Sequence, residues 1–461
     1  MTTPWPHQAA AIEWGDNTIR GMLHADMGTG KSLVAVELIK RHAPKNTLIV
    51  CPSGVRPVWR GQCHVHAPEQ FSMLVLDGNQ NTDRKAEMIG DHIRKQMFDG
   101  RPAVVVVNYE SIIRPKMLAT LRSVQWDLMI CDESHRIKAH NSQSSKAAWH
   151  IGQRASRAIG LTGTLMPHDP GDVFGQYRML DERIFGRYWT HFRNQFAIMN
   201  PHIPNAVLRW INQDEMTRRV NTIRHRITKD VLTLPEVVHQ VIPTPLSPAG
   251  MKHYKAMKAD SIARIHSKDI TASNGAVQFL RLLQFAQGYA RATDGSDVFV
   301  DNAKQKALLE LLENLDEHEP VCVYGHFKHD MQIVRTVAEL MNRRYGEVSG
   351  ERKDLTDHGK FPEHIDIMGV QCKSGGTGID LTRARYGIVL NSGTLSPGEY
   401  DQMLARQHRP GQTRGVTFYH FVAPGTVDVT VRKAREQRRD VVDSILNALV
   451  DPGKDEADDV F

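Results

Sequence analysis

The residues Ala25-Asp26-Met27-Gly28-Thr29-Gly30-Lys31-Ser32 bring together the residue types that hold a nucleoside triphosphate. Gly28 and Gly30 tolerate backbone angles that turn amide N–H groups into one concavity, and a helix opening at Ser32 adds its positive end. Met27, Gly28, Thr29, Gly30, Lys31 and Ser32 are therefore candidate nucleotide-binding residues. Lys31 would bridge the β- and γ-phosphates, and Ser32 would hold Mg²⁺. The alternative is a chance glycine turn. Placement after the apolar segment 21–24 and before the helical pattern 31–41 argues against it. Further along, Leu128-Met129-Ile130-Cys131-Asp132-Glu133-Ser134-His135 is an apolar run ending in two carboxylates. At the carboxyl end of a sheet strand they would share the crevice of the glycine-rich loop. Asp132 is then the second Mg²⁺ ligand, and Glu133 orients and deprotonates the attacking water. On its own, such a pair reads equally as a solvated acidic turn.

Positioning these groups requires alternating strands and helices, and the chain has them. Short apolar runs at 47–51, 103–107, 128–131 and 158–161, and again at 321–324, 365–370, 386–390 and 416–421, predict buried parallel strands. Helical patterns at 31–41, 84–98, 303–315 and 331–343 lie between them. The expected fold class is α/β, with parallel sheets flanked by helices in two lobes. We expect a nucleotide-binding lobe over 1–168, a helical extension over 169–235, a linker and helical segment over 236–299, a second lobe over 300–435, and a C-terminal helix with an acidic tail over 436–461. The prolines at 235, 243, 245 and 248 suit an extended crossover between lobes.

Composition narrows the class of partner. A formal net charge of +6 over 461 residues favours an anionic one, though only mildly. Cys51, Cys63, Cys131, Cys322 and Cys372 are odd in number and form no C-x-x-C pair, so zinc and a disulfide framework are not expected, and a reduced, cytoplasmic setting is. The N-terminus shows no secretory signal, and no apolar run reaches the roughly 18 residues of a membrane span.

The order of the motifs adds a family resemblance. Asp132-Glu133-Ser134-His135 is similar to the D-E-x-H box of superfamily two helicases, and further segments resemble their Swi/Snf-type branch. These are Trp5-Pro6-His7-Gln8, Asn108-Tyr109-Glu110, Leu161-Thr162-Gly163-Thr164-Leu165 (Leu165 where the pattern has Pro), Arg224 to Pro235, Val321 to Phe327, Cys372 to Leu381, and Gln402 to Gln412. The resemblance runs from about Trp5 to Arg435, nearly the whole chain. It implies two RecA-like lobes, ATP and Mg²⁺ as cofactors, and a DNA-dependent ATPase of compact prokaryotic or phage form. It implies that Gln8 recognises adenine, that Gly378 and Asp380 approach the nucleotide, and that His135, Thr162 and Thr164 couple hydrolysis to lobe closure. Gln402, Arg406 and Arg409 become catalytic candidates, the two arginines as fingers on the transferring phosphoryl group. Pro52, Ser53, Asn108, Tyr109, Gly325, His326, Lys373 and Ser374 become strand-contact candidates, with Arg218, Arg219, Arg224, Arg226, Lys229 and the basic residues of 432–439 adding charge. The expected activity is ATP-driven movement of a monomeric motor along double-stranded DNA, in replication, recombination or repair. A strand-separating helicase or restriction-type motor is the alternative, and an ATP-switched DNA-binding module is a third. Nucleosome remodelling is not expected.

Overall fold

The computed structural model describes residues 3–76, 80–167, 169–201, 207–266, 272–292, 296–372, 379–393 and 395–437. The chain divides into two compact units, 1–233 and 234–461. Each is built on one parallel sheet.

In the first unit the strands lie in the order Ser72–Val75, Ala103–Asn108, Asn46–Cys51, Leu128–Asp132, Arg157–Thr162, Arg20–Ala25 and Arg224–Ile227, each parallel to its neighbours. Alternate side chains feed two cores. Leu48, Val50, Val105, Val107, Met129 and Cys131 point to one face; Ile49, Cys51, Val104, Val106, Leu128 and Ile130 point to the other. Burial on both faces explains why these strands are unbroken apolar runs. Each such side chain contributes about 1.5–3 kcal/mol relative to exposure. The three strands ending at Asp132, Thr162 and Ala25 are consecutive in the sheet, so their carboxyl ends share one edge.

That edge is where the site forms. Helix Lys31–His42 leaves it, burying Leu33, Val34, Ala35, Val36, Leu38 and Ile39, with Lys40, Arg41 and His42 set at its negative end. The segment 169–235, expected to be helical, does hold helices Val173–Leu180, Trp189–Phe196 and Gln213–Asn221. It also supplies the last strand of the first sheet, Arg224–Ile227, and a hairpin of Ala197–Met199 with Val207–Trp210.

The second unit's sheet runs Val237–Pro243, Val416–Val422, Tyr386–Val389, Val321–Gly325, Ile367–Gln371 and Tyr345–Val348, again all parallel. Its first strand falls in the stretch expected to be a crossover. Lys304 anchors helix Ala303–Glu313 to the unit by donating to Asp428 Oδ2 (2.6 Å) and to the Leu390 carbonyl (2.8 Å), with all three groups buried. Among the described residues no helix is long and apolar enough to cross a membrane.

Candidate nucleotide site

The glycine-rich loop leaves the Arg20–Ala25 strand and ends at Gly30, whose φ of 88° is left-handed; Gly28 has φ 80°. Gly30 is required twice over. A β-carbon there would be strained, and it would collide with the Gln8 side-chain amide. Gln8 Nε2 donates to Thr29 O at 3.1 Å, and Gln8 Oε1 accepts from Trp5 N at 2.9 Å. His7 Nε2 lies 3.0 Å from the same Thr29 carbonyl. The residue assigned to base recognition is thus seated on the phosphate loop itself. Asp26 braces the other side of the loop, pairing with Arg226 at 2.7 Å and accepting from Lys229 N at 3.0 Å.

Lys31 Nζ donates to Ala25 O at 2.8 Å. Gly163 lies beside it, where an added β-carbon would stand 3.6 Å from the ammonium. The Lys31 charge also reaches both carboxylates of the acidic pair.

Asp132 and Glu133 are buried. Asp132 Oδ2 accepts from Trp59 Nε1 (2.9 Å), Oδ1 accepts from Glu133 N (3.0 Å), and its carbonyl accepts from Tyr109 OH (2.7 Å). Burial, reinforced by the Glu133 charge, pushes the Asp132 carboxyl up to about 7 against the opposing effects of Trp59 and Lys31. Glu133 moves the other way. Burial alone would raise it, but the His135 hydrogen bond and the charges of Lys31, His135 and Arg136 outweigh that and hold it below the ordinary glutamate range. Two neighbouring carboxyls driven apart in this manner can take different roles, one as cation ligand and one as base.

Residue Glu133 adopts a left-handed conformation, φ 51°, which turns the chain sharply after the strand. His135 Nδ1 then lies 3.3 Å from Glu133 Oε2 and 3.4 Å from Thr162 Oγ1. The Thr162 hydroxyl donates to Thr164 O (2.9 Å) and accepts from Thr164 N (3.1 Å). The hydroxyl proton of Thr162 is thus directed to Thr164 O.

A divalent cation suits this donor set. Asp132 is a buried carboxyl to which, among the described residues, no cationic side chain is bonded, and Ser32 lies in the first turn of the adjoining helix. When bound, Mg²⁺ would be held by Ser32 and Asp132 and would neutralise charge on the phosphates.

The expected strand-contact residues of this unit sit at the same sheet edge but differ among themselves. Pro52 and Ser53 follow the Asn46–Cys51 strand, with Ser53 fixed by Arg56. Asn108 is buried, bonding Glu110 (2.7 Å) and Ser111. Tyr109 departs from expectation. Its ring is in the core and its hydroxyl serves the Asp132 carbonyl, so the side chain is not a surface contact; an aromatic flanked by a strand end was filled inward. Of the expected basic patch, Arg218 and Arg219 are engaged by Glu215 and Arg226 by Asp26.

In the second unit Gly325 ends a strand tightly against Asp330, whose Oδ2 accepts from His326 N (2.7 Å) and Phe327 N (2.9 Å). Lys373, Ser374 and Gly378 lie outside the described residues. Asp380 caps its own turn, its Oδ1 accepting from Thr382 N (3.0 Å) and Oγ1 (2.7 Å). Gln402 is on helix Pro397–Leu404; Arg406 and Arg409 lie in the turn after it, both part-exposed, and Arg409 donates to Ile379 O (3.2 Å). Their neighbours are structural. Gln407 accepts from Tyr324 OH (2.7 Å), His408 Nε2 lies 2.8 Å from Pro235 O, and Gln412 donates to Thr382 O (2.9 Å) and Ala384 O (3.1 Å).

Sequence reading missed two residues of the first unit's site, Trp59 and Gln176. Neither sits in a motif, and both act through contacts distant in sequence.

A glycine-rich phosphate loop, with an acidic pair and a threonine turn on the two neighbouring strands of a parallel sheet, defines a helicase-like P-loop ATPase. The SNF2-related domain model matches residues 7–290, and the chain belongs to the SNF2-related family. It is 24% identical to protein p41 of Acyrthosiphon pisum secondary endosymbiont phage 1, over 97% of this chain and 98% of that protein. It is 23% identical to the ISWI chromatin-remodeling complex ATPase ISW1 of Saccharomyces cerevisiae and 26% identical to the human DNA annealing helicase and endonuclease ZRANB3. Those matches cover 94% and 93% of this chain but only 40% and 39% of theirs. Among solved structures it is similar to the Sulfolobus solfataricus SWI2/SNF2 ATPase core in complex with dsDNA, with 20% identity, 96% of this chain and 93% of that chain covered, and a TM-score of 0.44.

Proposed function

We propose that this protein is a motor that hydrolyses ATP and moves along duplex DNA. The observation that carries the reading is the first unit's edge, where Lys31, Asp132, Glu133 and the Thr162 turn converge on the phosphate loop. Lys31 would leave the Ala25 carbonyl for the β- and γ-phosphates. Glu133, kept ionised by its surroundings, would take the proton of the attacking water, and His135 would register the change at Thr162. Arg406 and Arg409 would supply guanidinium charge to the transferring phosphoryl group when the second unit closes on the first. Asp380 and Gly378 would approach the nucleotide from that unit.

DNA would be held through phosphates by Pro52, Ser53, Asn108, Gly325, His326, Lys373 and Ser374, with affinity falling steeply as salt rises. The motor would act as a monomer, in replication, recombination or repair. Displacement of a third strand from a triplex without unwinding of a forked duplex is the expected assay result. Efficient fork unwinding would instead make the protein a strand-separating helicase. Loss of DNA-stimulated ATPase in neither Lys31→Ala nor Glu133→Gln would overturn the site.

A further inference from the structure

The x position of the D-E-x-H box, Ser134, is wholly buried, and so is Gln176 of helix Val173–Leu180. Ser134 Oγ donates to Gln176 Oε1 at 2.9 Å. Gln176 Nε2 donates to Leu165 O at 2.7 Å and to Asp172 O at 2.8 Å. Both amide hydrogens and the amide oxygen of this buried side chain are therefore used. One side chain ties the turn that carries Glu133 and His135 to the segment that carries Thr162 and Thr164.

We propose that Gln176 is a positioning residue for hydrolysis, a strut that fixes the Glu133–His135 turn against the Thr162–Leu165 segment. The two loops are joined in two places of different character. His135 and Thr162 meet at 3.4 Å in a part-buried contact beside a carboxylate, a contact that can break and reform as charge at the site changes. The Ser134–Gln176–Leu165 chain is interior, shorter and fully satisfied, and so stays fixed while the outer contact moves. Glu133 is adjacent to Ser134 and holds a left-handed turn, φ 51°, whose own bonds are Glu133 N to Asp132 Oδ1 (3.0 Å) and Arg136 N to Glu133 O (2.9 Å). Small displacements of a water-activating group are costly because the reacting atoms must be aligned closely. The phosphate loop makes no bond to Gln176, so nucleotide binding should be untouched.

The inference rests on the proposed ATPase reading, and its test separates the two. Steady-state ATPase with duplex DNA is measured for wild type, Ser134→Ala, Gln176→Leu and the double variant, with melting temperatures beside them. The expected result is a kcat lower by about ten- to a hundred-fold in Gln176→Leu. KM for ATP stays within about twofold, and the double variant is no worse than Gln176→Leu alone, because the Ser134 bond acts only through Gln176. Should Gln176→Leu fail to fold, Ser134→Ala, which leaves both amide donors in place, must still lower kcat without raising KM. A kcat within twofold of wild type in folded variants, or kcat and KM changing together, overturns the strut. A wild type that hydrolyses no ATP overturns the underlying reading and the strut with it.

Discussion

The two units treat their motif residues differently. In the first, the motif side chains face one another: Gln8 meets the phosphate loop, Lys31 lies within reach of the acidic pair, and His135 bridges Glu133 and Thr162. In the second, most are absorbed by their own scaffold. Gln407, His408 and Gln412 hold strand ends and turns together, Asp380 caps Thr382, and the part-exposed arginines follow a helix end. The carboxyl pair of the first unit is buried beside Lys31, whereas the two arginines of the second remain part-exposed.

The sharpest way to break that contrast is to remove the second unit's charge. Replacing both Arg406 and Arg409 with Ala should lower DNA-stimulated ATPase by about a thousand-fold while ATP binding, followed by fluorescent-nucleotide titration, remains. Retained turnover would mean that the first unit works alone. A stability experiment probes the scaffold side. Lys304→Met strips the partner from buried Asp428 and should cost about 3–5 kcal/mol in denaturant unfolding, felt in the second unit. Nucleotide binding by the first unit should persist.

Smaller effects sharpen the first unit's side. Gln8→Ala removes the side chain that holds Thr29 O and should raise KM for ATP about tenfold, with a weakened preference over GTP in competition assays. An unchanged preference would confine Gln8 to bracing the loop. Asp132 gives a pH signature. Folded, it keeps its proton up to about 7; unfolded, it loses it near the ordinary aspartate value of about 3.9. Its contribution to stability is thus lost as pH rises between those values. A cation must displace the same proton, so the Mg²⁺ concentration for half-maximal rate should rise about fivefold from pH 7 to pH 6 and level off above about pH 8. A requirement flat from pH 6 to pH 8 would remove Asp132 as the ligand.

How much of this was legible beforehand follows from where each strand sits. All eight apolar runs are strands, because central strands buried on both faces must be apolar throughout. Within the two parallel sheets, the strands that went unread, Ser72–Val75, Arg224–Ile227, Val237–Pro243 and Tyr345–Val348, are the four edges. An edge strand has one neighbour and much solvent, so it can read Arg-His-Arg-Ile and look like a basic patch, or carry Pro243 and look like a linker. The phosphate loop and acidic pair were readable because their chemistry is local in sequence. Trp59 and Gln176 were not, since each acquires its role from partners brought near by the fold. Tyr109 was misplaced for the same reason, its inward course being set by the Asp132 carbonyl.

Whether Glu133 drives hydrolysis is decided by the steady-state ATPase rate of wild type and Glu133→Gln, each with and without duplex DNA. Duplex DNA should stimulate the wild type many-fold, and Glu133→Gln should bind ATP yet turn over about a thousand-fold more slowly with or without DNA. Hydrolysis by Glu133→Gln at the wild-type rate would contradict that role for Glu133.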